Sequence, residues 1–332
     1  MASVAPCAEP RVTPPKPLRD RWLLAVRREW RRNGLGYLLA LPAFLFMLAV
    51  HLVPMLEGVY MSFLKLNQFT LAQFLKAPFV GLANYRSVLL DAQNPIRHGL
   101  GVAVRNTAIY AVVVTIGVMV TAIGVALLLN RPFRGRAVVR TLMLLPWVVP
   151  SYVVGVVWGF MWRQDTGIIN RVLVDWLHLL HQRPFWLIGP NTIWAIIIPT
   201  IWRSWPFMMV VFLAALQTIP DELYEAAAID GAGPWRRFWR ITLPQLKPVI
   251  AVQLLFQIIY SVYSYNIVIM MFGNGAGYPG EWGDLMMTLI TRQSFNSWLF
   301  GNGAAVSTLL MLAMMAFVGL WYRIFREEMM IK

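Results

Sequence analysis

The chain has little of what a soluble or disulfide-built protein needs. Of its 332 residues 13% are charged and 58% are hydrophobic, whereas a typical soluble domain carries about a quarter charged residues. That length would hold one large soluble domain or two small ones, but with a mean hydropathy of +0.59 the apolar runs leave no room for either. The single cysteine, Cys7, excludes a disulfide framework and a cysteine-based metal site. Met1–Pro6 places no apolar stretch ahead of it, so it does not read as a lipoprotein-type cysteine. The histidines are scattered, with only His178 and His181 close together, and read as loop residues, so no metal site is expected. None of the five lysines (Lys16, Lys65, Lys76, Lys247 and Lys332) is followed by Ser or Thr. A nucleotide-binding P-loop ends in Gly-Lys-Ser/Thr, so no catalysis and no cofactor are expected in this chain.

Positive charge is what the chain does have. A net charge of +14 would suit nucleic acid, which is held electrostatically by basic patches, but its distribution points elsewhere. Lys and Arg number 8 in residues 1–34, 4 in 131–140, 4 in 219–248 and 3 in 323–332. The alternating segments 64–105, 163–190 and 273–300 hold 5, 3 and 1. Basic residues collect on the cytoplasmic side of membrane proteins. The pattern therefore predicts a multi-pass protein of the cell membrane with both termini inside, its partner a lipid bilayer and not nucleic acid.

Six apolar stretches, near 36–60, 106–130, 141–162, 191–216, 249–272 and 303–324, are long enough to cross, since about 20 helical residues span the hydrocarbon core. The expected fold class is an all-α polytopic membrane protein with six transmembrane helices over residues 35–325. Residues 1–34 form a basic cytoplasmic arm ending in a short amphipathic piece on the anionic leaflet, and 326–332 a short cytoplasmic tail. The apolar region after the arm is too long for a cleavable signal. Trp158, Trp162, Trp194, Trp321 and Tyr322 fall where an interfacial aromatic belt is expected. Pro146, Pro150, Pro199 and Pro206 lie inside spans, where each removes a backbone donor; simple tolerance and hinges around a pathway are both open readings.

The polar insert at 219–248 stands out. It reads as two short helices joined by a glycine turn: Pro220-Asp221-Glu222 start the first, and Gly231 and Gly233 stop it. Between them Glu225, Ala226, Ala227, Ala228 and Asp230 present a surface without bulk, polar at its edge. In the second, Trp235, Phe238 and Trp239 share one face, with Arg236, Arg237 and Arg240 on another, as in an interfacial amphipathic helix. Span five carries Gln257, Tyr260, Ser261, Tyr263, Ser264, Tyr265 and Asn266. Such groups face protein or water, not lipid, so they either line a pathway or hold helices together; for a pathway, Tyr260, Tyr263 and Asn266 are the candidates. Arg203, near the middle of span four, is costly there and reads equally as half of an ion pair or as a pathway residue.

The spacing of Glu225-Ala226-Ala227, three residues, Gly231, nine residues and Ile241-Thr242-Leu243-Pro244 resembles the E-A-A signature loop of the membrane subunits of ABC importers. The resemblance extends over most of residues 36–324. Phe79-Val80-Gly81-Leu82-Ala83-Asn84-Tyr85, Asn106-Thr107, Asn130–Arg136, Arg140, Leu145-Pro146-Trp147, Gly167–Asn170 and Leu216-Gln217 with Ile219-Pro220 follow, in order, the sugar-uptake permeases related to the maltose and glycerol-phosphate transporters. One departure is Met271–Pro279, where such permeases often carry an aromatic and T-G-G-G-P, and Val268-Ile269 stands in place of their Ile-Tyr. The resemblance implies a type I ABC importer permease fold and import of a sugar or related polyol derivative. It implies as partners a second, homologous permease, two ATPase subunits that bind the ATP and Mg, and an extracytoplasmic solute-binding protein. Glu225, Ala226, Ala227, Asp230, Gly231, Ile241, Leu243 and Pro244 would then form the ATPase-docking loop. Two alternatives are a permease of the same class for a phosphorylated or other small polar solute, and an ATP-independent secondary transporter. The latter would want more ionisable residues and paired broken helices within its spans. A membrane scaffold would leave the polar load of span five without purpose.

Overall fold

The computed structural model describes residues 18–273 and 278–329, with side chains from Arg28 to Glu328. Readings placed on Cys7, on most of the basic arm, on 274–277 and on the last three residues lie outside it. Among the described residues all regular structure is helical, with no strand and one isolated bridge between Leu64 and Phe79.

The chain divides into two compact units at Gly58. In the first, α1 (Leu18–Met47) runs through a π-helical turn at Leu48–Leu52 into α2 (Val53–Met61), and the stretch Arg28–Met61 is long and apolar enough to cross a membrane. The second unit contains α3 (Ala83–Leu90), α4 (Pro95–Asn130), α5 (Arg136–Met143), α6 (Leu145–Val148), α7 (Ser151–Met161), α8 (Ile168–Asn170) and α9 (Thr192–Leu216). It continues with α10 (Asp221–Ile229), α11 (Pro234–Arg237), α12 (Leu243–Val262), α13 (Asn266–Met271), α14 (Met286–Thr291) and α15 (Phe300–Met329). Here Pro95–Asn130, Gly189–Leu216, Pro234–Val262 and Phe300–Glu328 are long and apolar enough to cross, and Arg136–Val148 with Ser151–Met161 makes a sixth candidate span bent by 87°.

The core lies between α4 and α9. Val114, Val118, Ala122 and Ala126 recur every four residues on α4 and are buried, as are Met209 and Phe212 of α9 facing them. The small residues matter because helices in lipid gain little from hydrophobic burial and rely on close packing. Val112, Ile116 and Val120, on the opposite face of α4, are exposed, as lipid-facing positions should be.

Two spans that hydropathy reads as continuous are broken. Pro150 forces the residue before it out of helical geometry: Val149 and Pro150 are extended, with ψ of 126° and 138°, and the chain turns sharply between α6 and α7. The fifth span ends α12 at Val262 and restarts α13 at Asn266, with Tyr265 at φ −140°, ψ −54°. Tyr260, Tyr263 and Asn266 therefore do not lie on one continuous helix. The half-spans α7 and α13 pack backbone to backbone: a Cβ at Gly155 would sit 2.6 Å from the Ile267 carbonyl oxygen, and one at Gly159 2.9 Å from that of Met271.

The prolines of α9 do not break it. Pro199 leaves the Ala195 carbonyl without its helical donor, and the indole N–H of buried Trp162 donates to that oxygen at 3.1 Å. Trp162 thus belongs to the core, against Trp186, with ring centroids 4.7 Å apart, and not to an interfacial belt; Trp194 and Tyr322 are exposed.

Candidate functional site

The insert after α9 folds as one exposed helix and the start of another. Asp221 and Glu222 open α10, and Gly231, at φ +73°, closes it. The closure is complete: Gly231 N–H donates to the Ala228 carbonyl at 3.1 Å and Ala232 N–H to that of Ala227 at 2.8 Å, the paired bonds of a Schellman stop. Glu225, Ala226, Ala228, Asp230 and Gly231 are exposed and Ala227 is half-buried. Ile229 is 88% exposed, an apolar side chain with nothing over it. On the inner face the Tyr224 hydroxyl meets Thr242 Oγ1 at 3.0 Å. Ile241 packs against the core and Thr242 is buried, so the position the I-x-L-P pattern leaves free makes the bond that ties α10 down.

The second half of the insert is not a separate interfacial helix, as the sequence reading expected. α11, a π-helical turn at Phe238–Thr242 and α12 are continuous as Pro234–Val262. Pro244 has no N–H to continue the α-ladder, and the wider register, in which Leu243 N–H donates to the Phe238 carbonyl, absorbs the defect. Trp235, Phe238 and Trp239 do cluster, with ring centroids 5.4–6.1 Å apart, and both tryptophans are exposed. The basic segments of this unit that follow α4 and α9 and that end α15 meet at one end. Asn130, Arg131, Asp221 and Arg237 line one cavity of about 690 Å³, and Lys247 lies 3.7 Å from Glu328.

A second cavity, of about 220 Å³, opens where the two broken spans meet. Arg203, Tyr260, Tyr263 and Asn266 all line it, with Ser151, Ser204, Gln257 and Ser264. Irregular backbone at membrane depth persists only where it is buried in protein or lines a cavity, and each break here has its own polar partner. Arg203 Nε donates to the Val149 carbonyl at 3.1 Å, the group exposed by the bend before Pro150. Buried Tyr110 donates its hydroxyl to Thr200 Oγ1 at 2.8 Å and lies 2.9 Å from Ser264 Oγ in the second break. Asn266 Nδ2 reaches Ser151 Oγ at 3.4 Å, joining the starts of α13 and α7. Tyr110, Thr200 and Ser151 carry no sequence signal of their own beyond standing near Asn106-Thr107, Pro199 and Pro150. Arg203 makes no ion pair among the described residues.

A family model described as the binding-protein-dependent transport system inner membrane component matches residues 114–330. The chain belongs to this family. The permease is 33% identical over 295 residues to the sulfoquinovosyl glycerol transport system permease protein of Agrobacterium fabrum, covering 89% of this chain and 91% of that protein. It is 32% identical over 305 residues to the trehalose/maltose transport system permease protein of Thermococcus litoralis, covering 91% and 97%. An inner membrane ABC transporter permease protein of Escherichia coli is 32% identical over 282 residues, covering 85% and 90%. In fold it resembles a chain in the crystal structure of a bacterial ABC transporter that imports the acidic polysaccharide alginate. There the TM-score is 0.72 at 22% identity, over 91% of this chain and 99% of that one.

The structure gives the permease's other family-like segments physical work at the opposite end from α10. Asn84 Nδ2 donates to the carbonyls of Ser62 and Leu64, both at 2.8 Å, holding the loop after α2 in place. Asn106 Nδ2 donates to the carbonyls of Glu281 and Asp284 at 2.7 and 3.1 Å, and Thr107 Oγ1 accepts from Met286 N–H at 2.9 Å. This pair thus pins the loop before α14 onto α4. From the far end of α14, Arg292 pairs with buried Asp284 of that loop at 2.5 Å and lies 4.0 Å over the Tyr278 ring. Burial raises the Asp284 carboxyl above its ordinary value, while Arg292 and the Thr288 hydroxyl pull it back. The sequence alone gives Asp284 and Arg292 no role, because the two, on either side of α14, meet only in the fold.

Proposed function

We propose that the permease imports a sugar or related polyol derivative as one half of a membrane pore, with a second, homologous permease as the other half. Two ATPase subunits, which bind the ATP and Mg, drive it, and an extracytoplasmic solute-binding protein delivers the solute. The observation that carries this reading is the meeting of Arg203, Tyr260, Tyr263 and Asn266 at one cavity between two broken spans. Hydroxyls and amides there can bond a sugar's hydroxyl groups, and tyrosine faces can cover its apolar C–H side. The names of the curated relatives, among them trehalose/maltose and sulfoquinovosyl glycerol permeases, support the solute class.

Coupling is assigned to α10. Its exposed Glu225, Ala226 and Ile229 suit insertion into a cleft of the ATPase, with Asp230 and Gly231 at its end. Tyr224–Thr242 transmits displacement of α10 to the start of α12, and α12 ends at the cavity. ATP-driven closure of the ATPase pair would thereby switch access between the two sides, with both termini of the permease in the cytoplasm. Uptake of labelled trehalose, maltose and glycerol glycosides into vesicles bearing the complete assembly tests this. Uptake should need ATP and both ATPase subunits, and Ala at Tyr260 or Tyr263 should lower the rate without loss of assembly. ATP-independent uptake by the permeases alone would refute it.

A further inference from the structure

Among the described residues the cavity has one formal charge and no counter-ion for it. Of those residues, Arg203 is its only ionisable group besides the tyrosines; no described Asp, Glu, Lys or His lines it. Of the five N–H donors of a guanidinium, Nε is used on the Val149 carbonyl. The other four have no hydrogen-bond partner among the described residues, and no carboxylate lies within ion-pair distance. An arginine at mid-span costs several kcal/mol unless something answers its charge, and its guanidinium is here tethered through Nε to backbone. The remaining lining is rich in hydroxyls, from Ser151, Ser204, Ser261 and Ser264, and in amides, from Gln257 and Asn266. Ser151 opens the eleven-residue helix α7, whose N-terminal end adds positive potential.

We infer that the solute carries an anionic group, a carboxylate, sulfonate, sulfate or phosphate, and that Arg203 is the residue that selects for it. The guanidinium fork presents parallel N–H groups that match such oxyanions, and its tether to Val149 sets the fork before the solute arrives. The surrounding tyrosines, hydroxyls and amides then hold the neutral remainder. This rests on the proposal that the cavity lies on the solute's path, but not on the solute being a sugar.

The test has two arms, both on the complete transporter. The first needs no solute. With Cys7→Ser and Asn266→Cys, the labelling rates of an anionic and a cationic methanethiosulfonate reagent are compared, each divided by its rate with a free thiol. With Arg203 present the anionic reagent should be favoured by about tenfold, the lower end of what charged clefts achieve. Arg203→Lys should keep most of that preference and Arg203→Gln should abolish it, a pattern that a purely structural role for the side chain would not produce. A ratio indifferent to Arg203→Gln overturns the inference, and is the result expected if a carboxylate of the second permease neutralises the arginine. Absence of labelling in both resting and ATP-trapped states overturns it together with the pathway reading. The second arm measures uptake of matched solutes: glucose, glucuronate, glucose 6-sulfate, glucose 6-phosphate, the glycerol glycoside of each, and glycerol 3-phosphate as an anion that is not a sugar. Import of an anionic member, lost by tenfold or more in Arg203→Gln, supports the inference. A neutral member imported equally by wild type and Arg203→Gln refutes it and leaves the sugar reading standing. An imported anion that is not a sugar does the reverse.

Discussion

Adding one methyl group at Gly155 should disturb both the stability of the permease and its cavity. Gly155 faces α13 so closely that a Cβ would lie 2.6 Å from the Ile267 carbonyl oxygen and 2.8 Å from Met270 Cβ. The first of these is backbone, which cannot swing aside as a side-chain tip can. Overpacking of this kind typically costs about 1–3 kcal/mol, and Gly155→Ala should lie in that range. Gly124, on α4, provides the comparison: a Cβ there meets nothing within 4 Å, so Gly124→Ala should be neutral or stabilising by up to about 1 kcal/mol, as helical Gly-to-Ala changes are. Equilibrium unfolding of the purified proteins in mixed micelles measures both. Gly155 is one turn after Ser151, and Ile267 directly follows Asn266, so the displaced helices should also separate those two cavity residues and alter labelling at Asn266→Cys. If Gly155→Ala matches Gly124→Ala in stability, α7 and α13 are not packed as described.

Other expectations concern the loop before α14 and the orientation of the chain. Asn106→Ala removes two bonds to the Glu281 and Asp284 carbonyls; at about 1–3 kcal/mol for unpaired buried groups, hydrogen exchange over residues 281–290 should accelerate while that of α10 stays unchanged. The Asp284 carboxyl is raised on folding from its ordinary 3.8. Its contribution to stability is therefore full below that pH and is lost as pH rises through the folded value. The stability of wild type relative to Asp284→Asn should thus increase on acidification from neutral pH, and a decrease would show that Arg292, not burial, dominates. Reporter fusions after Arg136 and Arg240 should report cytoplasm, and fusions near Asp91, Asp175 and Gly280 the exterior; a cytoplasmic signal at Asp175 would break the six-span arrangement at its centre.

Local features were legible in the sequence, and features made by long-range contacts were not. The stop at Gly231 could be read because one glycine after an alanine-rich helix sets it. The apolar spans could be read because hydropathy sums over many residues, but the same averaging hides a break made by one or two. Pro150 was visible, yet whether a proline bends a span depends on who answers the freed carbonyls: Trp162 does so for Pro199 in a straight α9, while Arg203 does so at the bend before Pro150. The polar load of span five is visible in the sequence, and the break within it is not, since the partner for Ser264 is supplied by Tyr110 on α4. Asn106-Thr107 was recognisable only as a likeness, because its partners lie more than 170 residues away in the chain.

The central claim, that α10 is where ATP hydrolysis by partner subunits is coupled to transport, is tested most directly by charge reversal at its exposed face. The Glu225 side chain is exposed and takes part in neither the stop at Gly231 nor the Tyr224–Thr242 anchor, so Glu225→Lys should insert and fold as wild type does. Gly231→Trp serves as the counterpart at the helix end, where it adds a large ring and also strains a stop that needs φ +73°. Solute uptake by the complete assembly, measured alongside the ATPase recovered with the purified permease, should fall to background in both variants while the amount of permease in the membrane stays unchanged. Wild-type uptake with full ATPase recovery in Glu225→Lys and Gly231→Trp would contradict the assignment of α10 as the coupling element.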